Sequence, residues 1–296
     1  MKTSQHTQKP GKITKALPFL SIVGFCGAFT AAQASLLVYE GFDYGTGSVT
    51  GGNGTTLSVD GSAMNGGSGW SGAWVGRNAE TNFGNIVSGS LSYGDLPTSG
   101  NRIQLGSFRD ISRDFDSALG EGTHYFSVLL DIGDSTDNER TRFRITQDGS
   151  QDNLFEVGFG FSGSDPAELV YRTGGDTPVG GAATGISGTN LFVGKFDMSA
   201  GGVMSNISIW LNPTDLTSES ANTLTLDLDS ASIGGGAGGV RLTRTGGTES
   251  GVFDEVRFGT TWDAVAIPEP STYGAIFGLS ALALVAFRRR MRKDSD

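Results

Sequence analysis

Acids, one histidine and four tryptophans are the residues of this chain that could do chemistry, and their spacing limits what that chemistry is. Hydrolysis of a glycosidic bond needs two carboxylates facing one groove, and on a β-strand that means alternate positions, as in a Glu-x-Asp-x-Glu run. The sequence contains no such run. Its nearest approaches are Asp254-Glu255, adjacent and so directed to opposite sides of a strand, and Asp227-Leu228-Asp229, correctly spaced but without a third acid. Both read as strand-end acids facing solvent. Glu156, within Phe155-Glu156-Val157-Gly158-Phe159-Gly160-Phe161, either faces a concave surface between aromatics or, as a lone acid, points outward. His124 is the only histidine beyond the first 34 residues. It stands at the threshold of a strand, an ordinary edge position, and no Gly-x-Ser-x-Gly elbow in a strand-turn-helix context supplies a nucleophile for it.

Binding chemistry has more support than catalysis. Asp131, Asp134, Asp137, Asn138 and Glu139 crowd one loop, and Asp148, Asp152 and Asn153 the next hairpin. These are the hard oxygen ligands that calcium prefers, without the spacing of an EF-hand, and the alternative is a solvated acidic turn. No cofactor is required; one structural calcium is the option these loops leave open. Rings that stack on sugar faces give β-sandwiches their glycan affinity. Trp70 and Trp74, four apart in a Gly/Ser-rich loop, are the surface candidates, with packing of the loop as the competing and favoured role. Trp210 and Trp262 read as core residues.

The chain ends carry targeting signals. Lys2, Lys9, Lys12 and Lys15, an apolar run from Leu17 to Thr30, and then Ala32-Gln33-Ala34 form the three parts of a secretory signal peptide, with cleavage expected before Ser35. The run is too short for the roughly 20 residues of a spanning helix. The single cysteine, Cys26, lies inside it, so the exported chain has no thiol. At the other end Tyr273 to Phe287 is uncharged and mostly apolar, a marginal transmembrane helix, followed by Arg288, Arg289, Arg290, Arg292 and Lys293. The basic cluster keeps that end cytoplasmic by the positive-inside rule. Residues 35–266 hold twelve basic and 28 acidic side chains, a net charge of −16, with Lys195 the sole lysine. Such a domain repels phosphate backbones, which excludes nucleic acid as a partner.

Pro268-Glu269-Pro270, a short apolar helix and an arginine cluster, in that order, resemble the PEP-CTERM sorting signal of Gram-negative bacteria. The resemblance implies export by the secretion machinery, removal of the leader by signal peptidase, an inner-membrane intermediate, and recognition by an exosortase that cuts near the triplet. Pro268 and Pro270 suit a cleavage site because proline keeps the segment extended.

Positioning all of this is a region of period-2 alternation without a helical stripe longer than two turns. Strands are predicted at Leu36 to Glu40, Ile86 to Tyr93, Arg102 to Leu105, His124 to Ile132, Thr141 to Thr146, Leu154 to Phe161, Ala167 to Arg172, Asn190 to Asp197, Asn206 to Asn212, Thr223 to Leu228, Gly239 to Thr243 and Val252 to Phe258. Gly-rich patches at 45–54, 61–69 and 234–239 read as surface loops. The pattern predicts an all-β, two-sheet antiparallel sandwich of jelly-roll type over 35–266, between a signal peptide (1–34) and a sorting tail (267–296). Leu36-Leu37-Val38-Tyr39-Glu40-Gly41-Phe42-Asp43-Tyr44, Gly69-Trp70-Ser71-Gly72-Ala73-Trp74, Leu91-Ser92-Tyr93 and Phe253-Asp254-Glu255-Val256-Arg257-Phe258-Gly259-Thr260-Thr261-Trp262 resemble exported bacterial proteins with a LamG-like domain of the concanavalin A-like lectin/glucanase class. The same pattern covers Leu191-Phe192-Val193-Gly194-Lys195-Phe196 and Ile209-Trp210-Leu211-Asn212-Pro213. The fold hosts lectins, glucanases and passive modules alike. The expected function is that of a non-catalytic cell-surface or extracellular-matrix module engaging extracellular polysaccharide; the alternatives are a divergent glycoside hydrolase and a purely structural biofilm component.

Overall fold

The computed structural model describes residues 35–132, 140–150, 153–160, 168–173, 179–183, 187–246 and 251–267. The signal peptide and the sorting tail, with Ala32, Ala34, Pro268, Glu269, Pro270, Arg288, Arg289 and Arg290, lie outside these residues, as do Asp134, Asp137 and Asp152. The described chain is almost entirely antiparallel β-structure in two sheets, the jelly-roll sandwich that the alternation predicts.

The larger sheet has eleven strands. In spatial order these are β16 (Leu226–Gly234), β15 (Val203–Leu211), β14 (Thr189–Met198), β9 (Gly122–Asp131), β18 (Gly251–Gly259), β7 (Arg102–Leu105), β6 (Asn82–Val87), β2 (Gly47–Thr50), β3 (Ser58–Val59) and β4 (Ser62–Ala63), with β1 (Leu36–Glu40) paired to β18. The smaller has seven: β13 (Val179–Ala183), β12 (Glu168–Thr173), β11 (Asn153–Gly160), β10 (Arg140–Gln147), β17 (Ala237–Thr245), β8 (Arg109–Asp114) and β5 (Val75–Gly76). Phe126, Phe143, Phe155, Phe196, Phe253 and Phe258 meet between the sheets in the main core. Alternation in Arg142-Phe143-Arg144-Ile145 puts Phe143 and Ile145 into that core and the two arginines on the outer side of the smaller sheet.

Where period 2 breaks, the backbone shows why. In β18 the core residues change phase from Phe253 to Val256 and Phe258. The change coincides with a register shift between Asp254 and Arg257, and Glu255 stands at φ 51°. Asn206, at φ 50°, does the same in β15 between Met204 and Ile207.

Several predicted boundaries need correction. The strand expected at Ile86 to Tyr93 ends at Val87, because Ser90 and Leu91 bond to Asp254 instead of to a neighbouring strand. The 45–54 patch is not all loop: it contains β2, whose Val49 is fully buried. The 61–69 patch likewise contains β4. The strand β8 was not foreseen. The 234–239 patch is a loop only at Gly235 and Gly236, which carry the chain from one sheet to the other at positive φ; Gly234 ends β16 and the buried Ala237, Gly238 and Gly239 begin β17.

A second apolar cluster lies on the outer side of the larger sheet. Leu129, Leu191, Val193 and Trp210 project away from the main core and are covered by Leu91, Leu96 and the short helix α1 (Trp262–Ala266). Strands β9 and β14 are therefore buried on both faces by apolar side chains, whereas the outer side of β10 in the smaller sheet is buried through its arginines.

Candidate functional site

An open cavity of about 630 Å³ lies at the edge of this covering layer. Its apolar wall is Trp210 at the end of β15 and Trp262 at the start of α1, with ring centroids 5.2 Å apart and planes at 84°. Both rings are 5% exposed, in accord with their expected core role, yet both contribute to the cavity lining. Thr217, Ser218, Glu219 and Asn222 also line it, as does Asp263, next to Trp262 in sequence.

The segment that carries the polar side is held by its own side chains. Asn212, at φ 52°, turns the chain out of β15 while its amide donates to Asn190 and accepts from the Leu191 N–H. Asp215 accepts from the Thr217 backbone and hydroxyl at 2.8 and 2.7 Å, and these bonds hold its carboxyl below the usual carboxylate range. Asn222 donates to the Asp215 and Ser218 carbonyls, and Trp262 Nε1 donates to the Leu216 carbonyl at 2.8 Å. Glu219 accepts from the Tyr125 hydroxyl at 2.7 Å and from Lys195 at 3.0 Å. Burial, then the Glu219 bond and charge, push the Tyr125 hydroxyl up to about 12. Hydroxyl, amide and carboxylate groups around an indole wall form a hydroxyl-recognising site, since a sugar offers donors and acceptors at its edge and C–H groups on its face.

The acid pair Asp254-Glu255 is not a solvent-facing strand end. Both residues are fully buried, and the bulge in β18 turns both carboxyl groups toward the segment 88–101 rather than to opposite sides. Ser90 Oγ lies 2.6 Å from Asp254 and 3.5 Å from Glu255. Asp254 also accepts from the Leu91 N–H, and Glu255 from the Ser99 N–H, the Tyr39 hydroxyl and Arg257 at 2.6 Å. Burial pushes the Asp254 carboxyl up to about 8; the Ser90 bond opposes this and the Glu255 charge adds to it. Two carboxyl groups within about 6 Å, one of them with a raised pKa, are the electrostatic ingredients of a glycosidase, but here they are sealed beneath Ser90, Leu91 and Ser99 with no groove for a sugar. The break in alternation at these two residues was the sequence signal for the bulge.

Trp70 and Trp74 are not surface platforms. Trp74 is fully buried, stacks on Phe42 at 5.6 Å and donates to Glu40, while Trp70 packs on Phe115 and donates to the Tyr39 carbonyl. Glu40 collects Trp74, Tyr44, the Phe42 N–H and Arg113. Loop anchoring is the role these two indoles fill, because a buried indole N–H needs an acceptor and finds one only inside.

His124 is 5% exposed and stacks on Phe196, with Nε2 on the Gly120 carbonyl. It is a buried position rather than an ordinary edge one. Asp227 is exposed on the edge strand β16, as read. Glu156 does lie on the outer side of its sheet but is fully buried among arginines instead of solvated. Of the calcium candidates, Asp131 ends β9 and accepts from Thr189, and Asp148 is exposed after β10. The first ends a strand of the larger sheet and the second follows a strand of the smaller one. Among the described residues no three His, Cys, Asp or Glu are grouped to hold a metal.

The family model for the PEP-CTERM protein-sorting motif matches residues 266–290. No curated protein sequence matches the chain. Among solved structures, the chain is similar to the Emp46p carbohydrate recognition domain in its potassium-bound form, at 7% identity over 57% of this chain and 87% of that one, with a TM-score of 0.39. It is similar to the VIP36 exoplasmic/lumenal domain in its Ca2+/Man-bound form, at 10% identity over 58% and 84%, TM-score 0.38. It is also similar to Trypanosoma rangeli sialidase, at 6% identity over 77% of this chain and 31% of that one, TM-score 0.40. The motif match makes the chain an exported protein targeted to an exosortase.

Proposed function

We propose that this protein is a non-catalytic, polysaccharide-binding module of the cell surface or extracellular matrix, released from the inner membrane by exosortase processing at Pro268-Glu269-Pro270. The observation that carries the reading is the cavity that Trp210 and Trp262 line together with Thr217, Ser218, Glu219, Asn222 and Asp263. An indole wall with hydroxyl and carboxylate groups fixed by a pinned segment suits recognition of a hydroxyl-rich ring. A purely structural role would leave the pinning of 212–225 without a purpose beyond covering the sheet.

The hydrolase alternative has one specific observation behind it, the juxtaposition of Asp254 and Glu255. It requires segment 88–101 to lift. Both readings meet in one assay: the full-length chain is incubated with a panel of extracellular polysaccharides, with calcium and with EDTA, while retention and reducing-sugar release are followed together. Retention without release supports the binding module, and loss of retention in EDTA assigns a structural calcium to it. Release that disappears in Asp254→Asn would replace it with the hydrolase.

A further inference from the structure

The outer face of the smaller sheet carries a charge arrangement that sheet formation alone does not select. Four neighbouring strands place Arg172, Glu156, Arg144 and Arg241 directly opposite one another in a row. Arg144 and Arg241 are like charges in direct cross-strand register, a pairing that weakens a sheet. One step along, Arg142 faces Gly158, and the missing side chain there lets its guanidinium lie across to Glu156. The single carboxylate of Glu156 thus meets Arg142 at 2.7 Å, Arg144 at 2.8 Å and Arg172 at 2.9 Å.

Among the described residues the count of groups leaves charge and donors over. Three guanidinium ions share one carboxylate, while Asp110 is committed to Arg241 and to Thr243. The Nε groups of Arg142 and Arg172 are buried without an acceptor among these residues, and Arg144 Nε, though near Glu156, lacks the alignment of a hydrogen bond. Unmatched buried donors cost stability, and each guanidinium has five donors to satisfy. Burial lowers the Arg144 pKa to about 10, and although Glu156 opposes this, Arg142 adds to it. All this occurs in a domain of net charge −16 with twelve basic residues in all, so the concentration of cations is not a sample of the general surface. Arg172 and Arg241 are 19% and 22% exposed and open the cluster to solvent at its edges.

We propose that Arg142, Arg144, Arg172 and Arg241 form a binding site for an oxyanion carried on a glycan, a uronate carboxylate or a sulfate ester. Guanidinium groups bind such anions through paired, parallel N–H bonds. Glu156 sets the spacing of the arginines and prevents them from binding any anion indiscriminately. The site lies on the opposite sheet from the Trp210 cavity and rests on the polysaccharide reading only for the polymer that bears the anion.

Calorimetric titration of the full-length chain at low ionic strength tests the site with a galacturonate oligomer, a sulfated dextran oligomer, inorganic sulfate and an uncharged dextran oligomer. The site requires saturable binding of at least one charged oligomer, weakened by added salt and reduced tenfold or more in Arg172→Gln. Arg172 is the least enclosed of the three Glu156 partners, so this variant keeps two of them and retains the fold, which its melting temperature checks. Arg142→Gln, where folded, gives the same loss. The carboxylate and sulfate arms identify the anion, and tight binding of inorganic sulfate alone removes the glycan from the proposal. Equal affinity of wild type and Arg172→Gln for the charged oligomers, or no binding of any charged probe, overturns the site. Binding of the uncharged oligomer that is unaffected by Arg172→Gln belongs to the Trp210 cavity, so the two readings fail separately.

Discussion

The two outward faces of the sandwich are covered by opposite means. On the larger sheet, Leu129, Leu191, Val193 and Trp210 are roofed by chain: Leu91 and Leu96 from 88–101, and Val265 from α1. On the smaller sheet the corresponding positions are Arg142, Arg144, Glu156 and Arg241, which cover the backbone with paired charge. The inner faces share one phenylalanine-rich core, so the difference lies in what each outer face asks of the rest of the chain. An apolar outer face commits the loops above it to fixed positions, and its ligand cavity arises where that roof ends, beside Trp210 and Trp262. A charged outer face satisfies itself by ion pairing and reaches solvent through Arg172 and Arg241 at its edges.

The largest effect that would break this contrast is expected at Glu156. Glu156→Ala leaves three guanidinium groups without their shared carboxylate and should cost about 3–5 kcal/mol of unfolding free energy in urea titrations. A loss under 1 kcal/mol would mean that the charges on this face are solvated rather than paired. Leu129→Ala probes the roofed face: it empties a fully buried position between β9 and the roof, with an expected loss of about 2–4 kcal/mol.

A pH dependence sharpens the comparison further, because the roofed face holds Asp254. Its folded carboxyl titrates near 8 against an ordinary 3.8, so folding favours the protonated form. The stabilisation is complete below about pH 4 and is lost as pH rises through about 8. Wild type should therefore show a lower urea midpoint at pH 8.5 than at pH 5, and Asp254→Asn should flatten that difference; an unchanged slope in the variant would assign the titration elsewhere. The smallest effect is at the roof's anchor. Thr261 caps α1 by accepting from the Ala264 N–H at 3.3 Å, and Thr261→Ala should cost about 1 kcal/mol, read as a small drop in melting temperature.

Much of the sandwich was legible because period 2 is a local property. Leu36 to Glu40 and Arg102 to Leu105 form strands with the predicted ends. The charged outer face was half visible: alternation puts Arg142 and Arg144 on one side of their strand while Glu156 stays open between two faces, and register across four strands, which is long-range, brings them together. Packing, the favoured role for Trp74, is the one it fills; what its Gly/Ser-rich setting does not show is Glu40, 34 positions earlier, the buried acceptor that draws it inside. Asp254 and Glu255 were assigned to opposite faces by ideal alternation, and only the φ 51° bulge reunites them. The cavity combines β15, the segment after it and α1, elements about 50 residues apart, so spacing could not show it.

The central claim is that sugar binds beside Trp210 and Trp262, and intrinsic tryptophan fluorescence tests it most directly. Titration of the full-length chain with oligosaccharides from whichever polysaccharide it retains should give a saturable change in emission. That change should shrink in Trp262→Phe, which leaves Trp210 in the wall, and persist in Trp70→Phe, whose half-buried indole packs on Phe115 and does not line the cavity. Saturable binding with emission unchanged, or an undiminished change in Trp262→Phe, would contradict the assignment of the cavity as the glycan site.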